Sequence, residues 1–222
     1  MIKAAGYRFR SVFMKRLYLL PAAAAAFAAA ALLSCAAPEA PPRLADATVV
    51  FVGGDTTAAW PFDLYFPGYR FYKVIYDGPD KTRAWDEVAR YQPDVVVVKE
   101  CASYFDRGGD TPIDDYHGFM EEMVDLCRDI GAEPVLATTL PVDVGWGGCT
   151  QLQLDDIMAF NYWVREYSVE RHLVYLDFNA AICDGMGELP AGAHDGDGLH
   201  INSGGYDIIA PLVLPNLDAA VR

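Results

Sequence analysis

No run of Lys and Arg occurs anywhere after residue 35 of this 222-residue chain. From residue 36 on there are 12 Lys/Arg against 31 Asp/Glu, a formal charge of −19. Such a surface repels phosphate backbones, so no nucleic-acid partner is expected. Internal repeats and a second domain are missing as well. With 53% apolar and 13% aromatic residues, disorder and collagen are set aside, leaving one globular domain with a sizeable core. The reverse absence marks the other end: residues 1–35 contain five Lys/Arg and no Asp or Glu.

Met14-Lys15-Arg16 opens a short basic stretch, and Leu17 to Leu33 is an almost unbroken apolar, alanine-rich run ending in Leu32-Leu33-Ser34-Cys35. The pattern resembles a bacterial lipoprotein signal, in which a cysteine after small residues is acylated and becomes the first residue after cleavage. That resemblance implies a signal peptide over residues 1–34, with Met14 the true start, and lipidation of Cys35. An uncleaved membrane helix is the alternative. Either reading puts the domain outside the cytoplasm. Residues 35–46 then form the lipidated cysteine and a tether that its three prolines keep extended, and 47–222 form the domain. Ala36 is not an inner-membrane retention aspartate, and resemblance to proteobacterial sorting rules then implies the periplasmic side of an outer membrane or the cell surface.

Within 47–222, apolar runs of strand length alternate with segments of helical period, the pattern of a parallel sheet covered on both faces. Strands are predicted at Thr48–Val52, Phe71–Tyr76, Asp94–Lys99, Glu133–Thr139 and His172–Asp177. Helices are predicted at Thr82–Tyr91, at Pro112–Ile130 with Phe119, Met123 and Cys127 inward, at Leu152–Val169, and a last one from a Ser203 cap through Tyr206, Ile209 and Leu212. In such sheets ligands bind beyond the carboxyl ends of the strands. The loops that matter are therefore Gly53–Trp60, Asp77–Lys81, Glu100–Asp110, Leu140–Gln151 and Ala180–Asn202.

Three of these loops carry motifs in a telling order. The first strand runs into Gly53-Gly54-Asp55-Thr56-Thr57, the second ends Tyr76-Asp77-Gly78, and near the end stands Asp197-Gly198-Leu199-His200-Ile201-Asn202 followed by Gly204-Gly205-Tyr206. Together they resemble the SGNH, or GDSL, hydrolases over roughly residues 47–218. The resemblance implies a flavodoxin-like three-layer α/β/α sandwich with a five-stranded parallel sheet. It also implies esterase chemistry needing no metal or organic cofactor. Thr56 falls where the nucleophilic serine belongs, His200 is its base and later acid, and Asp197 orients the imidazole. The oxyanion would be held by the N–H groups of Gly78 and Thr56 and by Ser103, which stands where the family has asparagine. Threonine's extra methyl crowds its oxygen and stiffens χ1, and serine is shorter than asparagine. If the third loop is remodelled, Glu100 or Cys101 faces the site instead.

Other readings of the same residues stay open. Two histidines and two carboxylates within residues 194–200 could hold a metal, although a calcium loop fails because Leu199 occupies a ligand position. Cys101 could be a free nucleophilic thiol or could bridge to Cys149, since both lie in loops at the carboxyl edge of adjacent strands. Trp60, Tyr65, Phe66, Tyr104, Phe105 and Trp146 could wall a ligand or belong to the core. For the function two classes compete. One is a membrane-tethered ester hydrolase or acyl-transfer enzyme acting on a lipid, a glycan or a small molecule. The other is a catalytically inactive module that binds an envelope glycan or a protein partner.

Overall fold

Val49-Val50-Phe51-Val52 and Val95-Val96-Val97-Val98 are apolar at every position because both faces of their strands are covered. In the computed structural model, which describes residues 43–105 and 113–221, they are the central strands of a parallel sheet. The strands are β1 (Thr48–Gly53), β2 (Arg70–Ile75), β3 (Val95–Lys99), β4 (Glu133–Ala137) and β5 (Val174–Leu176), in the order β2-β1-β3-β4-β5. Alternate residues feed two cores. Val49, Phe51, Val95, Val97, Val135 and Leu176 pack on one side, with Trp60, Phe62 and Tyr206. Val50, Val52, Val96, Val98 and Leu136 pack on the other, with Tyr116, Met123 and Phe160. The expected three-layer α/β/α architecture is thus present. The signal segment 1–34, with Met14 and the lipidation site Cys35, lies outside the described residues. So does most of the tether, but Leu44, expected to belong to it, is buried in the first core.

The helices are α1 (Asp55–Ala59), α2 (Phe62–Tyr65), α3 (Trp85–Arg90), α4 (Ile113–Asp129), α5 (Gln151–Glu170), α6 (Phe178–Ile182), α7 (Ser203–Ile209) and α8 (Val213–Ala220). Differences from the sequence reading have local causes. His172 takes a left-handed φ of 56° and Asp177 caps α6 through Ala180 N–H, which trims β5 at both ends. A 3-10 turn at Ala210–Leu212 carrying Pro211 divides the last helix in two. The inward face of α4 is Tyr116, Met120, Met123, Val124 and Cys127, turned away from the expected Phe119. No helix among the described residues is long and apolar enough to cross a membrane.

β1 pairs with β2 on one side and with β3 on the other, so the connections leaving β1 and β3 part over the sheet edge and open a crevice there. The end of β4 beside it is pinned from α5. Asn161, fully buried, accepts from Thr139 N–H at 2.7 Å and donates to Thr139 C=O at 2.8 Å. Leucine at this position would leave a buried amide N–H without an acceptor. Asn161→Leu is expected to cost about 1–3 kcal/mol in urea unfolding, and an unchanged midpoint would show that the amide finds another partner.

Candidate active site

The turn 194–200 is shaped by a buried histidine. His194 Nδ1 accepts from Gly196 N–H at 2.9 Å and Gly198 N–H at 3.1 Å, so the hydrogen belongs on Nε2, which lies 3.0 Å from Asp143 Oδ2. The loop that supplies Asp143 docks on the same turn. Asp143 N–H donates to Gly198 C=O at 2.8 Å, and a Cβ on Gly147, whose φ is +56°, would collide with the Asp197 carbonyl. Held this way, the turn brings Asp197 and His200 together. Asp197 Oδ1 accepts from the N–H groups of Leu199 and His200, and its Oδ2 lies 2.6 Å from His200 Nδ1. Burial pushes the Asp197 carboxyl up, but the bonds from the His200 ring and the two backbone N–H groups outweigh it and hold the pKa at about 2.

Opposite this pair, β1 ends at Gly53 and α1 begins at Asp55. Gly54 between them lets the loop after β3 approach closely, since a Cβ there would strike Cys101 Sγ. α1 is anchored from the far end of the chain by Tyr206, whose hydroxyl donates to Thr56 C=O at 2.8 Å. A tight cleft separates the two sides, with Asp55, Thr56, Lys99, Cys101, Ser103 and His200 among its lining residues.

Thr56, Asp197, His200 and Ser103 are therefore assembled around one cleft edge. The group that His200 Nε2 faces, however, is Asp55 Oδ2 at 3.5 Å. Thr56 is buried at 8% exposure, whereas the Asp55 side chain is 68% exposed. Gly78 is not among the residues lining the cleft; its carbonyl accepts from the Lys81 ammonium.

Glu100 does not face the site. It is fully buried, with Oε2 3.2 Å from Lys81 Nζ in an ion pair that lacks hydrogen-bonding geometry, and burial outweighs the two lysines to push its carboxyl up to about 7. Lys99 was not anticipated. Its buried ammonium donates to Glu100 C=O at 2.8 Å, and burial lowers its pKa.

One expectation is corrected. Cys101 and Cys149 are both free, because the Cys101 thiol packs under Gly54 while the Cys149 thiol lies 3.6 Å from Gly198 C=O. Of the six aromatics, Trp60, Phe66 and Phe105 are core residues. Tyr104 donates to Asp77 at 2.7 Å, Tyr65 donates to Asp207 at 2.8 Å, and Trp146 is 52% exposed. Within residues 194–200 the two histidines face different carboxylates, Asp143 and Asp197, rather than converging.

The comparisons with known proteins agree with this geometry. The profile of the GDSL-like Lipase/Acylhydrolase family matches residues 30–208. Among solved structures, the chain is similar to a GDSL-like lipase from Bacteroides thetaiotaomicron VPI-5482. That match has a TM-score of 0.69 at 21% identity, covering 88% of this chain and 96% of that one. It is also similar to Axe2, an acetylxylan esterase from Geobacillus stearothermophilus, with a TM-score of 0.62 at 16% identity, covering 77% and 94% of the two chains. A search of curated proteins finds no match.

The pairing within the turn has a direct test. The Asp197 carboxyl is expected to titrate near 2 by carbon-13 NMR. In His200→Ala its midpoint should rise toward the ordinary carboxylate range, since the ring bond that favours the charged form is gone. A midpoint that stays put would show that the ring does not hold the carboxylate.

Proposed function

The chain belongs to the GDSL-like lipase/acylhydrolase family, and on that premise we propose that it is an ester hydrolase or acyl-transfer enzyme of the bacterial cell envelope, tethered through a lipid on Cys35. The observation that carries the reading is the 2.6 Å contact between Asp197 and His200 at the mouth of a cleft where the loops after β1 and β3 meet. Asp197 fixes the ring, His200 moves the proton, and backbone N–H groups with Ser103 and the Lys99 ammonium provide positive charge for the oxyanion. The hydroxyl served by His200 is that of Thr56 or of a water in the cleft. The likeness to an acetylxylan esterase favours an acetyl ester on a glycan over a long-chain lipid.

A second reading is favoured by one specific observation. The Asp55 carboxylate stands in front of His200 Nε2, where a serine-type hydrolase needs a hydroxyl. An inactive module that binds an envelope glycan or protein partner would tolerate that arrangement.

Hydrolysis of a chromogenic acetate ester by the purified chain separates the two. Turnover is expected to fall about a hundred- to ten-thousandfold in His200→Ala. Parallel loss in Thr56→Ala would assign the nucleophile to that hydroxyl. Absent turnover, or turnover indifferent to His200, would favour the binding module. For the anchor, radiolabelled palmitate is expected in the wild-type chain expressed in bacteria and not in Cys35→Ala; label retained by the variant would remove Cys35 as the acylated residue.

A further inference from the structure

The group presented to His200 is a carboxylate, and its position is not an accident of one flexible side chain. β1 ends at Gly53, Gly54 must be small to pass Cys101, and Asp55 is the first residue of α1, whose backbone is held by Tyr206 through the next carbonyl. The turn from strand to helix therefore sets residue 55, and not the more buried residue 56, before His200 Nε2. His200 then has Asp197 Oδ2 at 2.6 Å on Nδ1 and Asp55 Oδ2 at 3.5 Å on Nε2. An ionised carboxylate only accepts, so Asp55 offers His200 no proton to take, and a hydrogen on Nε2 would face an acceptor. The hydroxyl that a serine-type mechanism deprotonates is replaced at this position by a group that can itself act as a base.

We propose that Asp55 is the general base of the site and His200 its general acid, so that water attacks the ester directly and no acyl-enzyme forms. The inference rests on the ester-hydrolase reading and narrows it to hydrolysis. The Asp55 carboxylate, largely exposed, takes a proton from a water molecule as the water oxygen bonds to the carbonyl carbon. The tetrahedral intermediate then collapses, the bond from that carbon to the alcohol oxygen breaks, and the leaving oxygen takes the Nε2 proton of His200. Asp55 passes its proton to Nε2 and the site is restored. Direct attack by Asp55 itself is disfavoured, since a carboxylate is a far better leaving group than an alkoxide and the resulting anhydride would revert.

The test uses the full chain and three readouts: ester turnover, intact mass after a rapid quench, and labelling by a fluorophosphonate, which bonds an activated serine or threonine oxygen with loss of fluoride. The wild type is expected to turn over ester with neither an acyl adduct nor a label. Asp55→Asn should lose a hundred- to ten-thousandfold in turnover. Asp55→Ser should acquire the label at residue 55 and lose it again when His200→Ala is added. An adduct on Thr56 of the wild type would overturn the proposal, as would turnover in Asp55→Asn within tenfold of wild type. A folded Asp55→Ser chain, checked by circular dichroism, that takes no label would show that residue 55 is not presented to His200. A wild type without turnover, beside a labelled Asp55→Ser, would overturn the ester reading and the base role together while leaving Asp55 as the residue facing His200.

Discussion

The site depends on one imidazole that takes no part in the chemistry. His194 gathers two backbone N–H groups onto one nitrogen and offers the other to Asp143, so a glycine-rich turn that would otherwise sample many conformations is closed into one. Because the Asp143 loop sits against the same turn, the carbonyls of Asp197 and Gly198 are fixed from both sides. The Asp197 carboxylate inherits that rigidity and passes it to the His200 ring. On the opposite wall, the buried Lys81–Glu100 pair ties the loop after β2 to the loop after β3, with the Lys81 ammonium also over the Tyr104 ring at 4.7 Å. A buried pair like this adds little net stability, but removing one partner strands a charge in the core, so the two loops are kept together.

The charges around the cleft are arranged in a sequence that runs from carboxylate to imidazole to carboxylate, with the Lys99 ammonium beside them. That is a different electrostatic problem from a neutral hydroxyl facing a histidine. A second carboxylate next to the ring supplies an acceptor for water, whereas a hydroxyl there would have to give its own proton to the ring. The fold supports either chemistry, since the loops that carry it are independent of the sheet that positions them.

Most of the architecture was legible in the sequence because the two central strands are valine runs and the helices between them show clean periodicity. What escaped notice were short elements whose signals are local caps and breakers. α1 and α2 sit in a stretch that reads as a loop, α6 depends on the Asp177 cap, and the break before α8 depends on Pro211. In the site, Asp197 and His200 were readable because their three-residue spacing is a closed turn. Read as sequence, the first motif sets Thr56 before His200; only the fold, with the strand ending at Gly53, shows Asp55 there instead. The role of Lys99 was hidden because a strand-terminal lysine looks like a solvated end. The free thiols of Cys101 and Cys149 show that neighbouring loops do not guarantee facing Cβ vectors.

The hydrogen bond from Tyr206 to Thr56 joins residues 150 positions apart, and the partners of the cleft come from both ends of the domain. A chain that emerges from its amino terminus first can lay down β1, β2 and β3, and even part of the second core, while the groove at their edge still lacks its imidazole. The cleft is complete only when the last thirty or so residues arrive and Tyr206 on α7 bonds to α1. The two carboxylates and the ring between them are thus brought together at the moment the chain is finished.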